Sequence, residues 1–141
     1  MKSSRESNCN EYEGYFESDL KNGFGIFQWA SRNIYIGFFI SDERNGIGEM
    51  RWTDGSKYIG QWKNGIQNGY GKMTFSDNSC KIGLFEKNIY KGKINPGAHV
   101  PPELLDPDFN IKDLAPPQLI SLIEKLDGIE IEPLQDNFNS N

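Results

Sequence analysis

The residue types that most often carry out chemistry are few in this chain, and they lie far apart. The chain contains one histidine, His99, and two cysteines, Cys9 and Cys80. Neither cysteine has neighbours at the spacing of a metal site or of a disulfide framework. No cysteine or serine lies in a motif that would make it a nucleophile, and no phosphate-binding loop of the glycine-lysine type occurs. The sequence therefore predicts a protein that is not an enzyme, with no catalytic residues, no metal and no cofactor.

Two other patterns resemble chemical sites, and both have a simpler structural explanation. Pairs such as Gly23-Phe24-Gly25 resemble phosphate cradles, but none follows a buried strand and opens a helix. Because the pair recurs along the chain, a structural role is favoured. Neighbouring carboxylates such as Asp42-Glu43 lie at predicted turns, where solvated charge is the ordinary explanation.

The charge balance argues against nucleic acid and leaves a lipid surface as the weaker alternative. Residues 12–92 carry ten Lys or Arg and nine Asp or Glu, whereas residues 93–141 carry three and nine. Binding to a phosphate backbone needs clustered positive charge, which is missing. A basic edge would favour an anionic membrane by about 1 kcal/mol per basic residue, but the acidic tail opposes it. The lysines of this edge are Lys57, Lys63, Lys72, Lys81, Lys87 and Lys91.

The expected cellular location follows from what the sequence lacks. No stretch approaches the roughly 18 consecutive apolar residues of a membrane helix. Residues 1–11 have no apolar or amphipathic run, so they do not have the pattern of a secretory signal or a transit peptide. We therefore expect a reducing, cytoplasmic location.

An internal repeat positions almost all of the remaining notable side chains. Its period is the separation of Tyr12 from Tyr35, and the same step leads from Tyr35 to Tyr58. Glycine and aromatic columns recur at this step, which is typical of a repeat array. The recurring residues include Gly14, Gly37, Gly60 and Gly83; Gly25, Gly48 and Gly71; Phe16, Phe39, Trp62 and Phe85; and Trp29, Trp52 and Phe75.

The pattern Tyr-x-Gly-x-aromatic, followed by a turn and Asn-Gly-x-Gly, resembles the MORN (membrane occupation and recognition nexus) repeat. Copies begin at Tyr12, Tyr35 and Tyr58, and a degenerate copy begins at Lys81, where tyrosine is expected. Ile94 replaces the last glycine of the motif, and Ser31-Arg32 replaces the Asp-Gly turn of a later copy. The resemblance implies an elongated, twisted stack of β-hairpins with a grooved face.

The array is predicted to be all-β, a single-layer antiparallel sheet of eight short strands. Within one copy Tyr58, Gly60 and Trp62 share a face by period two. The turns between paired strands carry residues that tolerate positive φ, as at Asp42 and Asn64-Gly65. Glycines within the strands expose bare backbone that a neighbouring ring can cover. The structural glycines are Gly14, Gly25, Gly37, Gly48, Gly60, Gly71 and Gly83.

The two faces of this sheet suggest two candidate surfaces. An aromatic ribbon offers a stiff groove for an apolar helix or an extended segment of a partner protein. Its predicted residues are Tyr35, Phe39, Trp52, Tyr58, Trp62 and Phe75. The reverse face carries an apolar patch at Ile36, Phe38 and Ile40. That patch is either covered within the chain, by sheet packing or by the tail, or is a docking surface for another protein.

The chain divides into a flexible N-terminus at 1–11, the array at 12–95, and a proline-rich acidic tail at 96–141. Within the tail Leu119, Leu122, Ile123 and Leu126 follow the spacing of an amphipathic helix, which is predicted over about 117–127. Gly128 is expected to end it, a brief strand is expected at 129–132, and 136–141 are expected to be unstructured. The helix docks either on its own array or in a partner's groove.

The function expected from this sequence is a protein-interaction scaffold inside a large assembly. Small MORN proteins resemble subunits of cytoskeletal assemblies, notably cilia and their axonemes, and this location is implied by the resemblance alone. One alternative is a peripheral membrane adaptor that binds acidic phospholipid. Another is a targeting module for a partner enzyme. A homodimer stays open, because the edges of a repeat sheet invite association.

Overall fold

The fold is a meander of nine antiparallel strands followed by a tail that returns across one face of the sheet. The computed structural model describes the backbone of residues 1–95 and 97–139, and side chains as far as residue 128. The strands pair in sequence order, each with the next. They are β1 Lys2–Arg5, β2 Glu11–Glu17, β3 Leu20–Gln28, β4 Ile34–Ile40, β5 Glu43–Arg51, β6 Lys57–Lys63, β7 Ile66–Thr74, β8 Cys80–Glu86 and β9 Ile89–Gly92. The predicted antiparallel hairpin array is thus confirmed, with one strand more than expected.

The additional strand, β1, lies in the segment that was predicted to be flexible. It pairs with β2, with Lys2 opposite Gly14 and Arg5 opposite Glu11. In the turn that follows, the Glu6 amide donates to the Asn10 carbonyl at 2.8 Å. The Trp29 amide donates to the Asn33 carbonyl in the same way, at 3.0 Å, in the turn after β3. Residues 2–10 therefore form the second half of an incomplete leading copy. The prediction was wrong because this half-copy lacks the glycine and aromatic columns that identify the others.

Tight turns hold the hairpins in register. Both central residues of each two-residue turn within a copy have positive φ, as at Ser41 (47°) and Asp42 (74°). Such turns match the twist of the paired strands. The three later turns also bond to the preceding copy: the amides of Asp42 and Gly65 donate to the carbonyls of Lys21 and Arg44 at 2.9 Å, and the Asn88 amide donates to Gln67 at 3.2 Å. The copies are therefore linked at their turns as well as along their strands.

The tail contains three helical segments. They are α1 Pro102–Leu105, a 3-10 helix at Ile111–Leu114, and α2 Pro117–Asn139. Helix α2 begins where it was predicted, but it continues past residue 127. Gly128 keeps a helical φ, whereas a glycine that ends a helix usually adopts positive φ. The expected strand at 129–132 is therefore wrong. The unstructured end expected at 136–141 is also wrong as far as residue 139, and residues 140 and 141 lie outside the described part.

Apolar side chains form two clusters, one on each face of the sheet. The first is mainly aromatic and is built entirely from strands and turns of the array. The second combines array residues from β3 to β6 with residues of the tail, from Phe109 to Leu126. These two clusters determine which parts of the faces are accessible.

Candidate protein-interaction face

The aromatic face is organised by one tyrosine in each complete copy. The rings of Tyr12, Tyr35 and Tyr58 lie against a glycine on the next strand of the same hairpin. A Cβ at that glycine, which is Gly25, Gly48 or Gly71, would collide with the ring. The predicted covering of bare backbone by rings is therefore present. The remaining predicted structural glycines, Gly14, Gly37, Gly60 and Gly83, also have backbone atoms too close for a Cβ.

The hydroxyl groups of the same tyrosines donate to backbone carbonyls at the points where the strand pairing is irregular. The pairing register shifts between Gly37 and Phe39, as in a β-bulge, and Phe38 is the residue between them. The Tyr35 hydroxyl donates to the Phe38 carbonyl at 2.9 Å. Equivalent bonds run from Tyr12 to the carbonyl of residue 15 at 2.8 Å, and from Tyr58 to residue 61 at 3.0 Å. Burial raises the pKa of each of these three phenols.

Edge-to-face contacts join each copy to the next. The ring centroids of Tyr12 and Phe39 are 5.4 Å apart, and those of Tyr35 and Trp62 are 5.5 Å apart. The Trp62 indole also donates to the Gly48 carbonyl at 3.0 Å. Such contacts add about 0.5–1.5 kcal/mol each beyond the area buried. The face is therefore a continuous and rigid stack of rings.

Because of this packing, most of the residues predicted to line a groove are buried. Tyr35, Phe39, Tyr58 and Trp62 are each at most 4 % exposed, so they form the core of the face. The sequence placed them correctly on one face, but alternation alone cannot tell a packed ring from an accessible ring. Trp52 and Phe75 remain partly exposed, and so does Trp29 in the same repeat column. Trp29 was recognised as part of this column but was not predicted as a contact residue.

Basic side chains lie over the rings, and sequence reasoning missed them as part of the face. The Lys21 Nζ is 5.1 Å from the centroid of the Phe27 ring. The Arg44 Cζ is 5.1 Å from the Trp62 ring and 5.7 Å from the Trp29 ring. Lys21 and Arg44 are separated by one repeat period and therefore occupy equivalent positions in successive copies. That period was the signal that could have identified them.

The reverse face is occupied by the chain's own tail. Leu119 and Ile123 of α2 are fully buried and Leu126 is 4 % exposed, in one cluster with Phe24 and Ile36. Leu122 packs at the margin of this cluster. The intramolecular alternative for the helix is therefore the one that the structure shows.

The predicted reverse-face patch is for the same reason not an open docking surface. Ile36 is inaccessible beneath the tail, and Phe38 is partly buried. Ile40 is 55 % exposed, because it lies beside a hairpin turn beyond the covered region. Ile36 therefore cannot contact a partner protein in this structure. The alternative that the patch is covered within the chain explains its burial.

An ion network fastens the tail to the sheet at the margin of this cluster. The Arg51 Nε bonds to the Glu49 carboxylate at 2.5 Å, and Arg51 Nη1 lies 2.7 Å from Asp127 of α2. Arg51 and Glu49 are each 7 % exposed. A buried arginine requires such partners, because removing a charge from water is costly unless the charge is paired. This network connects the array to the helix electrostatically as well as by apolar contact.

The histidine and the two cysteines do not form a metal site or a reactive cluster. Cys9 and Cys80 are exposed and free, and His99 is exposed in the segment after the array. Among the described residues, no group of three His, Cys, Asp or Glu is placed to hold a metal ion. Within the same residues, no helix is long and apolar enough to cross a bilayer.

The repeating hairpins, with tyrosines seated on glycines and rings stacked between copies, define a β-hairpin repeat protein. A family model for the MORN repeat matches residues 12–34, 35–57 and 58–80. The chain therefore contains three consecutive MORN repeats, and the matched copies begin at the tyrosines identified from the sequence. A comparison with curated proteins gave no match. MORN repeats are modules that bind proteins or membranes and are themselves non-enzymatic.

Proposed function

We propose that this protein is a non-enzymatic scaffold that holds a partner protein on its aromatic face. The observation that carries the proposal is the contrast in accessibility between the two faces. The reverse face is filled by the tail, whereas Trp29, Trp52 and Phe75 form a partly exposed column on the aromatic face. Tryptophan in such a position is typical of interface residues that contribute most of the binding energy.

The face is also suited to binding because little of it has to become ordered. The rings beneath the exposed column are fixed by hydroxyl bonds and by edge-to-face contacts. Immobilising a free side chain at an interface costs about 0.5–1.5 kcal/mol, which a pre-organised surface avoids. A partner helix or extended segment would therefore meet a surface that is already in its binding conformation.

We further propose that the partner belongs to a cytoskeletal assembly, such as that of a cilium or its axoneme. This part of the proposal is supported by the resemblance of small MORN proteins to subunits of such assemblies. It does not follow from any residue of the face.

The experiment is affinity purification of the tagged full-length protein from ciliated cells, with quantitative mass spectrometry. Trp52→Ala removes an exposed ring from the aromatic face, and Lys72→Ala changes an exposed residue of the reverse face. Circular dichroism checks that both variants are folded. We expect axonemal or other cytoskeletal proteins with the wild type and with Lys72→Ala, and their loss with Trp52→Ala.

Three other results would contradict parts of this proposal. If the same proteins were recovered with Trp52→Ala, the aromatic face would not be the binding surface. If the recovered partners were not cytoskeletal but their recovery still depended on Trp52, the scaffold function would be supported and the assignment to a cytoskeletal assembly would be wrong. If Trp52→Ala abolished binding to phosphatidylserine vesicles without changing any protein recovered, the function would be that of a membrane adaptor.

A further inference from the structure

A row of basic side chains lies over rings of the aromatic face. Eight cation–ring contacts, at centroid distances between 5.1 and 6.0 Å, involve Lys2, Lys21, Arg44 and Lys81. They follow the array from its first strand to its eighth. The net charge of the whole chain is −5, so this basic row runs against the overall balance.

Arg44 differs from the lysines of this row because part of its guanidinium is buried without a hydrogen-bond acceptor among the described residues. Its Nη2 donates to the Gly65 carbonyl at 2.5 Å. Within the described part of the chain its Nε is buried without a hydrogen-bond acceptor, and it forms no ion pair. Burial lowers the pKa of this guanidinium, and the charges of Tyr35 and Glu43 only partly oppose the shift. A desolvated cation of this kind gains most from an anionic group brought by a ligand.

An open cavity of about 290 Å³ lies beside Arg44. Trp29, Phe39 and Lys21 contribute to its walls. Its apolar and cationic surfaces thus lie side by side, next to the partly exposed column of the aromatic face. A ligand that fits must present apolar side chains and a carboxylate within a few residues of each other.

Three carboxylates, from Glu6, Asp42 and Glu43, also line this cavity, and among the described residues none of them forms an ion pair with Arg44. Asp42 pairs with Lys21, with 3.3 Å between its Oδ1 and the lysine Nζ, and also accepts the Lys21 amide. Glu43 is exposed, and Glu6 comes from the turn after β1. The charge of Glu43 acts on Arg44, so Glu43 competes with an incoming carboxylate for this guanidinium.

From these observations we propose that the aromatic face accepts an acidic, amphipathic protein segment, one carboxylate of which pairs with Arg44 while its apolar side chains contact Trp29 and Trp52. The inference rests on the proposed function, because it specifies the chemistry of the partner held on that face. It also predicts that Lys81, which is exposed and lies over the Phe75 and Tyr90 rings, extends the preference for acidic partners toward the end of the array.

The direct test uses two fluorescent peptides of about 16 residues that differ only in charge. Both carry Leu and Phe at the i, i+3, i+4, i+7 positions of a helix, and one has Glu where the other has Lys. Fluorescence anisotropy measures their affinity for the full-length protein. We expect the acidic peptide to bind at least about tenfold more tightly, and that ratio to shrink at high salt.

Three substitutions separate a charge effect from a structural effect. Arg44→Gln should weaken the acidic peptide about tenfold, and Glu43→Gln should strengthen it about twofold or more. Lys72→Gln removes the same charge from the reverse face and should change affinity less than twofold. Glutamine is acceptable at position 44 because Gln67 occupies the equivalent position of the next copy. Thermal melting checks that the variants remain folded.

The proposal is overturned if the basic peptide binds as tightly as the acidic one, or if Arg44→Gln and Lys72→Gln behave alike. It is also overturned if phosphatidylserine vesicles bind through Arg44 while the acidic peptide does not bind, since the row would then recognise lipid. If neither peptide bound but recovery of partners from cells still depended on Trp52, the preference for an acidic segment would be wrong and the scaffold function would still be supported. Loss of that Trp52 dependence would instead contradict the proposed function itself.

Discussion

The two faces of the sheet are filled by different means. On the aromatic face each tyrosine covers a glycine on the next strand of its own hairpin, so the packing is local and repeats with the sequence. On the reverse face Phe24 and Ile36 are covered by α2, which begins only at residue 117. One face is therefore completed by contacts within each copy and with the adjacent copy, and the other by a single segment from far along the chain.

This difference has consequences for stability and folding. Local contacts close short loops and form early, whereas the docking of α2 closes a loop of roughly 80 residues or more. We therefore expect the hairpins and their rings to form before the tail packs on them. The four changes below test the two faces against each other, beginning with the one expected to have the largest effect.

The largest loss is expected from Gly48→Ala on the aromatic face. A Cβ at position 48 would collide with the Tyr35 ring and hydroxyl, which cannot move without losing the bond to the Phe38 carbonyl. Overpacking and an unsatisfied carbonyl together should cost about 4 kcal/mol. Urea unfolding followed by circular dichroism measures the change.

Gly128→Ala is the matched control for this substitution. No heavy atom lies within 4 Å of a Cβ built there, and the residue is in a helix. The change should therefore raise the free energy of unfolding by up to about 1 kcal/mol. A Gly48→Ala protein as stable as the wild type would show that the rings do not depend on the bare backbone.

A somewhat smaller loss is expected from Ile123→Ala on the reverse face. Ile123 is fully buried between α2 and the sheet, and deleting its outer carbons leaves a cavity. Such a change costs about 3 kcal/mol. Leu105→Ala, at a residue that is 59 % exposed, should stay within about 0.5 kcal/mol of the wild type.

The rate of unfolding shows whether the two faces form at different stages. If the tail docks last, Ile123→Ala should mainly accelerate unfolding, and Gly48→Ala should also slow refolding. Stopped-flow measurements in urea separate the two rates. Equal effects of both substitutions on refolding would show that the faces form together.

The third change is alkaline pH, which removes protons from the buried phenols of the aromatic face. Burial raises the pKa of Tyr12, Tyr35 and Tyr58 above the ordinary value near 10. Below pH 10 this contribution to stability is complete, because the phenols are protonated in both states. Above pH 10 the unfolded chain loses these protons while the folded chain keeps them, so stability falls as pH rises toward the raised values. Each such phenol contributes about 1.4 kcal/mol per pH unit.

Tyr35→Phe isolates one of these protons. The slope of unfolding free energy against pH above 10 should decrease by about 1.4 kcal/mol per pH unit relative to the wild type. The part of the phenolate absorbance that is lost in Tyr35→Phe should rise in step with unfolding rather than before it. Full ionisation of the tyrosines in a protein that is still folded would contradict their burial.

How far the sequence predicted this structure also differs between the two faces. The repeat period placed Tyr35, Gly48 and Trp62 on one face in the right register. It could do so because the residues that pack on this face recur at the same position of every copy. It did not show that Tyr35 and Trp62 are inaccessible, since burial depends on the three-dimensional approach of neighbouring copies. Arg44 was harder to recognise because its column is not uniformly basic, since Gln67 occupies the same position in the next copy.

The reverse face was predictable only as a choice between alternatives. The spacing of Leu119, Ile123 and Leu126 predicted an apolar helical stripe, but no pattern identifies which surface such a stripe covers. The end of the helix was wrong because Gly128 can either stop a helix or be tolerated within it. The salt bridge between Arg51 and Asp127 left no signal, because the two residues lie far apart in the chain and belong to no shared repeat.

The smallest effect is expected from that ion pair, through Asp127→Asn. Arg51 keeps its bond to Glu49, and Asp127 is 41 % exposed, so water replaces part of what is lost. The cost should be about 1 kcal/mol, above the usual value for a surface pair because the guanidinium itself is buried. Glu124→Gln breaks a looser pair with Lys112, 3.4 Å apart and exposed on both sides, and should cost less than about 0.5 kcal/mol. The difference should persist at about 1 M salt, because a buried charge is screened much less than an exposed one. Equal losses in both variants would mean that α2 is held on the reverse face by its apolar stripe alone.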